Sequence, residues 1–323
     1  ITYILIIKFK EYYLRMLMKM SFLFMLLLLS INFAQEFSVT SVEQLTTLKQ
    51  GKFYYPIGNN DDSKIMFSSE EYKGLWILDN NNGKINQIND YLSAGYEPNF
   101  TNDNKIVYRK DDFRNNLRFL SIYKYDFSKM TESIIAENLR DIAQIKVING
   151  IDINYSRNEN LLEIKSNNKL NKAAINNMPV VMIENSDLVL YKNGKRIILN
   201  PNGDGNYLWA SVSPDGDKLL YTFAEQGTFV TDLNGKIVGN IGYAHYPQWS
   251  NSGEWIVYMK DYDDGEKVID SDLYISSIDG TKELNITNTK NIHEMYPVWS
   301  KSKNRIYFNS SDGIIYKIEL KLN

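Results

Sequence analysis

One repeated hairpin limits what this chain can fold into. Its clearest copy is Tyr246-Pro-Gln-Trp-Ser-Asn-Ser-Gly-Glu-Trp-Ile-Val-Tyr258, echoed by Tyr296-Pro-Val-Trp-Ser-Lys-Ser-Lys-Asn-Arg-Ile-Tyr-Phe308. A third copy is Trp209-Ala-Ser-Val-Ser-Pro-Asp-Gly-Asp-Lys-Leu-Leu-Tyr221, and fainter ones run over 97–108 and 55–67. Each reads as strand, tight turn, strand. Aligned positions 58, 100, 212, 249 and 299 lie 42, 112, 37 and 50 residues apart. Units of this size bury their apolar faces only against neighbouring copies, so the pattern specifies a repeat architecture.

The repeat near 243–287 holds four strand-like pieces, at 247–250, 254–259, 272–276 and 282–287, with Asp279-Gly280 as a hairpin turn. Four antiparallel strands per repeat describe a propeller blade. The same grammar recurs at 64–88, 105–135 and 218–239, with Asn82-Gly83 and Asn234-Gly235 as turns, and a last repeat starts at Pro297. Inside the 112-residue interval, 180–199 is a clean strand trio around Asn193-Gly194. The stretch 138–178 is degenerate: 145–148, 151–155 and 161–165 read as strands of a worn blade, and 169–177 as a loop or insertion. The count is six blades, against five or seven, in one all-β domain over 35–323.

The chain ends bear on closure. The last repeat stops after its third strand, 313–319, and 41–46 resembles 282–287. Residues 38–47 are therefore expected to complete the last blade and remove an exposed sheet edge. Composition agrees, with 23 tyrosines suited to half-buried pleated surfaces. The formal charge is −3, and Lys8, Lys10, Arg15 and Lys19 fall in the first 34 residues, so no basic stripe remains for phosphate contacts and nucleic acid is excluded as a partner. The lack of cysteine excludes disulfides, thiol catalysis, cysteine metal sites and lipidation at an N-terminal cysteine.

Residues 1–34 read as targeting sequence. Lys19, the apolar run 22–29 and Asn32-Phe-Ala-Gln35 form a secretory signal with cleavage after Ala34, an uncleaved anchor being the other reading. The first fifteen residues, from Ile1, read as upstream sequence, with the start at Met16, Met18 or Met20. The expected address is the periplasm or the cell exterior, with a mature chain that does not span the membrane.

The hairpins resemble the repeat of the TolB family and its WD40-like relatives, Pro-x-Trp-Ser-Pro-Asp-Gly-x-x-Ile-x-Phe. The copy at 212–221 is nearest, with Val212 in place of the Trp and Ala210 of the first Pro; those at Trp249 and Trp299 keep Pro and Trp but lose Pro-Asp. The resemblance covers most of 38–323 and is weakest at 138–178. It implies a propeller working as an envelope interaction module, without the additional N-terminal domain of TolB itself. The export signal and the Asn/Lys/Ile bias are similar to secreted propellers of Bacteroidetes-type bacteria. The same repeat builds the propellers of prolyl-oligopeptidase-like hydrolases, but no Gly-x-Ser-x-Gly elbow occurs here, and no hydrolase domain is expected. In such a repeat Pro pre-sets the start of the strand, and Trp249 and Trp299 are plates between blades.

Candidate chemistry is sparse. His245 and His293 lie in strand-leading loops of adjacent repeats, where they could converge on a ligand or metal, or be ordinary loop histidines. Asn200, Asn202 and Asp204 place oxygens at alternate positions as at the start of a calcium loop, without its distal Glu, so Ca2+ is a possible cofactor and a plain turn the alternative. The acidic stretch 261–272, with Asp261, Asp263, Asp264 and Glu266, reads as an enlarged loop that holds a cation, meets a partner, or is simply solvated. Phe113 and Tyr262 are candidate anchors for a protein or glycan. The leading expectation is a monomeric, non-enzymatic binding module for an envelope or extracellular protein. The alternative is a propeller enzyme, a metal-assisted polysaccharide lyase or hydrolase, or a glycan-binding module, with its site in the central funnel.

Overall fold

The computed structural model describes residues 37–140, 142–148, 152–157, 160–164, 170–172 and 178–322. The signal and its cleavage point lie outside these residues. Contacts divide the chain into a large unit, Ser41–Glu319, and a small unit from the two ends, Ile1–Thr40 with Leu320–Asn323. The described residues of the small unit belong to two strands, Phe37–Gln44 and Ile315–Leu322. No helix among the described residues is long and apolar enough to cross a membrane.

Among the described residues seven antiparallel sheets follow one another along the chain, so the ring has seven blades and not six. Blades 1 to 6 occupy 54–89, 99–139, 142–172, 180–198, 207–242 and 245–285. Blade 7 takes its three inner strands from 294–322 and its outermost one from Phe37–Gln44. The error in the count sits in the 112-residue interval, which holds two blades. The worn stretch forms a complete four-stranded sheet, and the trio at 180–198 is a second blade with three described strands. Blade 3 lacks the Pro and Trp of the hairpin, yet Ile145 and Tyr155 are buried against Leu120, Ile122 and Leu139 of blade 2. A blade is made by apolar packing on its neighbour, and the hairpin signature is only one way to start it.

The other junctions follow the same rule. Trp249 joins Leu220, Val230, Ile256 and Tyr258 between blades 5 and 6, the plate position expected of it. The abundant tyrosines have a specific place. Tyr108, Tyr221, Tyr258 and Tyr307 are fully buried on second strands, and their hydroxyls meet Glu132, Asn202, Glu283 and Arg305. Each supplies a large apolar plate whose polar tip is satisfied. The first turn of four hairpins is pinned alike: the side-chain oxygens of Asn59, Thr101, Ser213 and Ser250 accept the N–H of Lys64, Lys105, Lys218 and Trp255.

Ring closure is as the sequence predicts. Leu45 N–H donates to the Ile315 carbonyl at 2.8 Å, and Ile315 N–H donates to buried Thr46 Oγ1 at 2.9 Å. Lys317 pairs with Glu43 at 2.9 Å.

A candidate active site at the mouth of the ring

The innermost strands share a kink. Their pairing slips between Tyr54 and Ile57, Leu208 and Ser211, His245 and Gln248, and Met295 and Val298. One residue in each bulge takes a left-handed backbone: Tyr55 (φ 59°), Trp209 (51°), Tyr246 (51°) and Tyr296 (53°), and Glu97 of blade 2 does the same (49°). Four of the five precede proline, which disfavours right-handed helical backbone and was expected simply to extend the strand. A bulge re-aims the side chain it carries. Each left-handed residue costs about 1–2 kcal/mol, and a strain repeated around a ring points to function.

These side chains meet in an arc across blades. Tyr55 stacks on Tyr72 at 4.3 Å and meets Tyr296 at 4.5 Å; Tyr296 meets Tyr246 at 5.3 Å, and Tyr246 meets Trp209 at 6.4 Å. From Tyr72 the arc passes to Tyr96 of the loop before blade 2 at 5.3 Å, and Glu97 takes a hydrogen bond from Gln144 of blade 3 at 2.8 Å. Burial, then the Glu97 charge, raises the Tyr246 hydroxyl above its ordinary value. The collar residues are half-buried, open to solvent on one side.

Beside the collar lies a cleft of about 410 Å³, lined by Leu208, Trp209, Phe223, Glu225, Tyr243 and His245. His245 Nδ1 sits 2.7 Å from Asp261 Oδ1. The imidazole is held between Tyr243 at 4.5 Å and Trp209 at 5.4 Å. The Tyr243 hydroxyl donates to the Asp261 carbonyl at 2.9 Å and is pushed up to about 12 by burial and by the Asp261 charge. Burial raises the Asp261 carboxyl, but the hydrogen bond and charge of His245 outweigh it and hold the group below the usual carboxylate range.

The sequence singled out His245 and Asp261 separately, and the fold joins them. It does not join the rest. Asp261 pairs with Ser271 inside a long hairpin, so most of the expected acidic loop is strand. At its tip Asp263 accepts Gly265 N–H and Asp264 accepts the N–H groups of Glu266 and Lys267, so these carboxylates cap a turn, and Glu266 is exposed. Tyr262 and Phe113 are 63% and 60% exposed on the long hairpins of blades 6 and 2. Asn200 Oδ1 accepts Leu188 N–H at 2.9 Å and Asn202 Oδ1 accepts the Tyr221 hydroxyl at 2.6 Å, so the expected calcium oxygens already hold protein donors; Asp204 is exposed. The collar and Arg109 escaped the sequence reading, although Tyr-Pro at the head of three hairpins was a visible signal.

His293 lies 3.9 Å from Asp270 and next to buried Glu294. Thr289 donates to Glu294 Oε1 at 2.8 Å, while Oε2 has no partner. Burial raises the carboxyl from 4.5 to about 7, with Asp272 and Asp270 adding to it. A raised carboxyl stabilises the fold below its unfolded pKa and loses that contribution as pH climbs through about 7. E294Q is therefore expected to melt several degrees above the parent at pH 8.5, an effect of at most about 3 kcal/mol, and to match it near pH 5. Calorimetry at both pH values checks this; a lower melting temperature at pH 8.5 would refute it.

The fold and site define a seven-bladed propeller with an aromatic collar and a His–Asp cleft at one end of its ring. No family model and no curated protein matches the sequence. Among solved structures the chain is similar to oligogalacturonate lyase from Vibrio parahaemolyticus (TM-score 0.59, 12% identity, 88% of this chain and 96% of that one). An oligogalacturonate lyase in complex with manganese aligns likewise (0.60, 13%, 88% and 95%). So does the propeller domain of Cps50 (Swd1) from Myceliophthora thermophila (0.61, 7%, 88% and 99%). TolB from Acinetobacter baumannii aligns at 0.46 with 17% identity over 72% of this chain and 54% of that one, too loosely to bear on the TolB resemblance. What stands of that resemblance is the propeller. The expectation of a non-enzymatic module is corrected: the solved structures that share this fold include a lyase, and the cleft holds a paired histidine and carboxylate, so the alternative, a propeller enzyme, is the better supported. Manganese does not fit here, since among the described residues no three His, Asp or Glu side chains are placed to hold a metal.

Proposed function

We propose that this chain is a propeller enzyme that cleaves an oligosaccharide at the mouth of its ring, with His245 as general base and Asp261 as the group that orients it. The observation that carries this is the 2.7 Å contact between His245 Nδ1 and Asp261 Oδ1 in an aromatic cleft. With Nδ1–H donated to the carboxylate, Nε2 is the ring nitrogen left to take a substrate proton. Trp209 and Tyr243 offer ring faces of the kind on which the C–H face of a sugar packs. The likeness to oligogalacturonate lyase supports β-elimination as the reaction. Nε2 takes the proton beside the sugar carboxylate, that electron pair forms the new C=C bond, and the glycosidic C–O bond β to the carboxylate breaks. The imidazolium returns its proton to the leaving oxygen. Residues 35–323 incubated with oligogalacturonates test this by the ultraviolet absorbance of the unsaturated product. New reducing ends without that absorbance would replace elimination by hydrolysis, and no cleavage would sink the reading.

The export signal read in the sequence is consistent with a substrate met outside the cytoplasm. Intact mass of the protein from its native source is expected to give a chain starting at Gln35. A mass that retains the apolar run 22–29 would point to an anchor instead.

A further inference from the structure

Arg109 stands at the edge of the collar, and among the described residues its Nε has no hydrogen-bonded partner. It lies on the second strand of blade 2, Lys105–Arg114, its side chain 14% exposed. Its guanidinium lies over the Tyr96 ring at 4.1 Å. Its Nε is buried with no hydrogen bond. Asp111 Oδ1, also unpartnered, is 3.9 Å away, beyond hydrogen-bonding reach. The other oxygen, Asp111 Oδ2, is held by Arg118 Nε at 2.9 Å, Arg118 Nη2 at 2.7 Å and the Ser93 hydroxyl at 2.7 Å, which fixes the carboxylate on Arg118. Glu97 is bonded through Oε1 to Gln144, and its Oε2 has no partner. Two other arginines of low exposure differ: Arg305 is bonded to Glu319 and Tyr307, and Arg196 to Glu184. A buried guanidinium nitrogen without a hydrogen bond is costly unless something completes its shell. Stacking on Tyr96 holds the planar fork in place, and a planar fork matches an oxyanion through two parallel bonds.

We propose that Arg109 is the anion anchor of the collar and takes an oxyanion carried by a sugar, a carboxylate or a sulfate ester. This rests on the carbohydrate reading above and assigns the side chain that holds the acidic group of the sugar. Arg118 is then a positioning residue: by occupying Asp111 it keeps Arg109 free for the ligand.

Binding, measured apart from turnover, tests this. Trp209 lines the cleft, so tryptophan fluorescence serves as the readout. The probes are trigalacturonate, its neutral methyl ester and a sulfated galacto-oligosaccharide. The parent is expected to bind at least one anionic probe about ten-fold or more tightly than the ester, with the advantage shrinking as salt rises. R109Q is expected to abolish the preference, and R109K, a point charge without the fork, to lose most of it. R118Q is expected to weaken anion binding as well, because Asp111 then turns to Arg109, an effect that a merely structural Arg109 would not produce. A preference for the sulfated probe over trigalacturonate identifies a sulfate ester as the ligand and leaves the anchor in place. Equal affinity of the parent for acid and ester, or a preference that survives in R109Q, overturns the proposal. If R109Q does not fold, the parent's preference and its salt dependence decide. Tight, Arg109-dependent binding without cleavage would remove the enzymatic reading and leave the anchor standing.

Discussion

H245Q is expected to lower the turnover of an acidic oligosaccharide by about 10²- to 10⁴-fold, the range in which positioned general bases contribute. Glutamine is close to imidazole in reach and polarity, so the cleft keeps its shape between Trp209 and Tyr243. What it lacks is a lone pair of suitable basicity where Nε2 stands. KM is expected to move by no more than a few-fold, because binding rests on the aromatic walls and the collar. D261N is the companion variant. It keeps the volume of Asp261 but withdraws the carboxylate that receives Nδ1–H at 2.7 Å, so the productive tautomer is no longer enforced. Its loss is expected in kcat as well, and the double variant is expected to fall little below H245Q, since the two residues act as a unit. Initial rates over a substrate series check this. An H245Q protein that retains a tenth of parental kcat would end the general-base assignment.

Removing the closing strand is expected to have the largest effect on stability. A chain starting at Lys49 loses the Leu45 donor and the Thr46 acceptor that hold Ile315, and the Glu43 partner of Lys317. It also bares the third strand of blade 7 as an unpaired edge, a template for association between molecules. The expected result is a melting temperature more than about 10 °C lower, or loss of a cooperative transition, with aggregation by light scattering. T46V is the gentler form. It leaves the buried Ile315 N–H without its acceptor, at a cost of about 1–3 kcal/mol. A truncated chain that melts with the parent would show that closure is dispensable.

Much of this fold was legible in the sequence, for a local reason. Strand alternation, Asn-Gly and Asp-Gly turns and the recurring hairpin are properties of neighbouring residues, so they survive in a one-dimensional reading. Blade 3 was counted short because its hairpin signature has decayed while its packing has not: Ile145 and Tyr155 face Leu120 and Ile122, a relation between blades that no local motif records. The site divides the same way. His245 and Asp261 were visible as residue types, but their contact joins the innermost strand of blade 6 to the far end of the next one. Arg109 carried no motif, because its character comes from what Asp111 does with Arg118.

The sequence by itself determined an all-β propeller, the hairpins and turns that start most of its blades, and its closure by a strand from residues 38–47. Only the tertiary structure decided that there are seven blades, that the residue before each hairpin proline turns left-handed to aim its side chain into a collar, and that one histidine meets one carboxylate in a cleft. The physical reason is range. Backbone preference and side-chain alternation act over a few residues, whereas blade count and site geometry depend on contacts between segments that lie far apart in the chain.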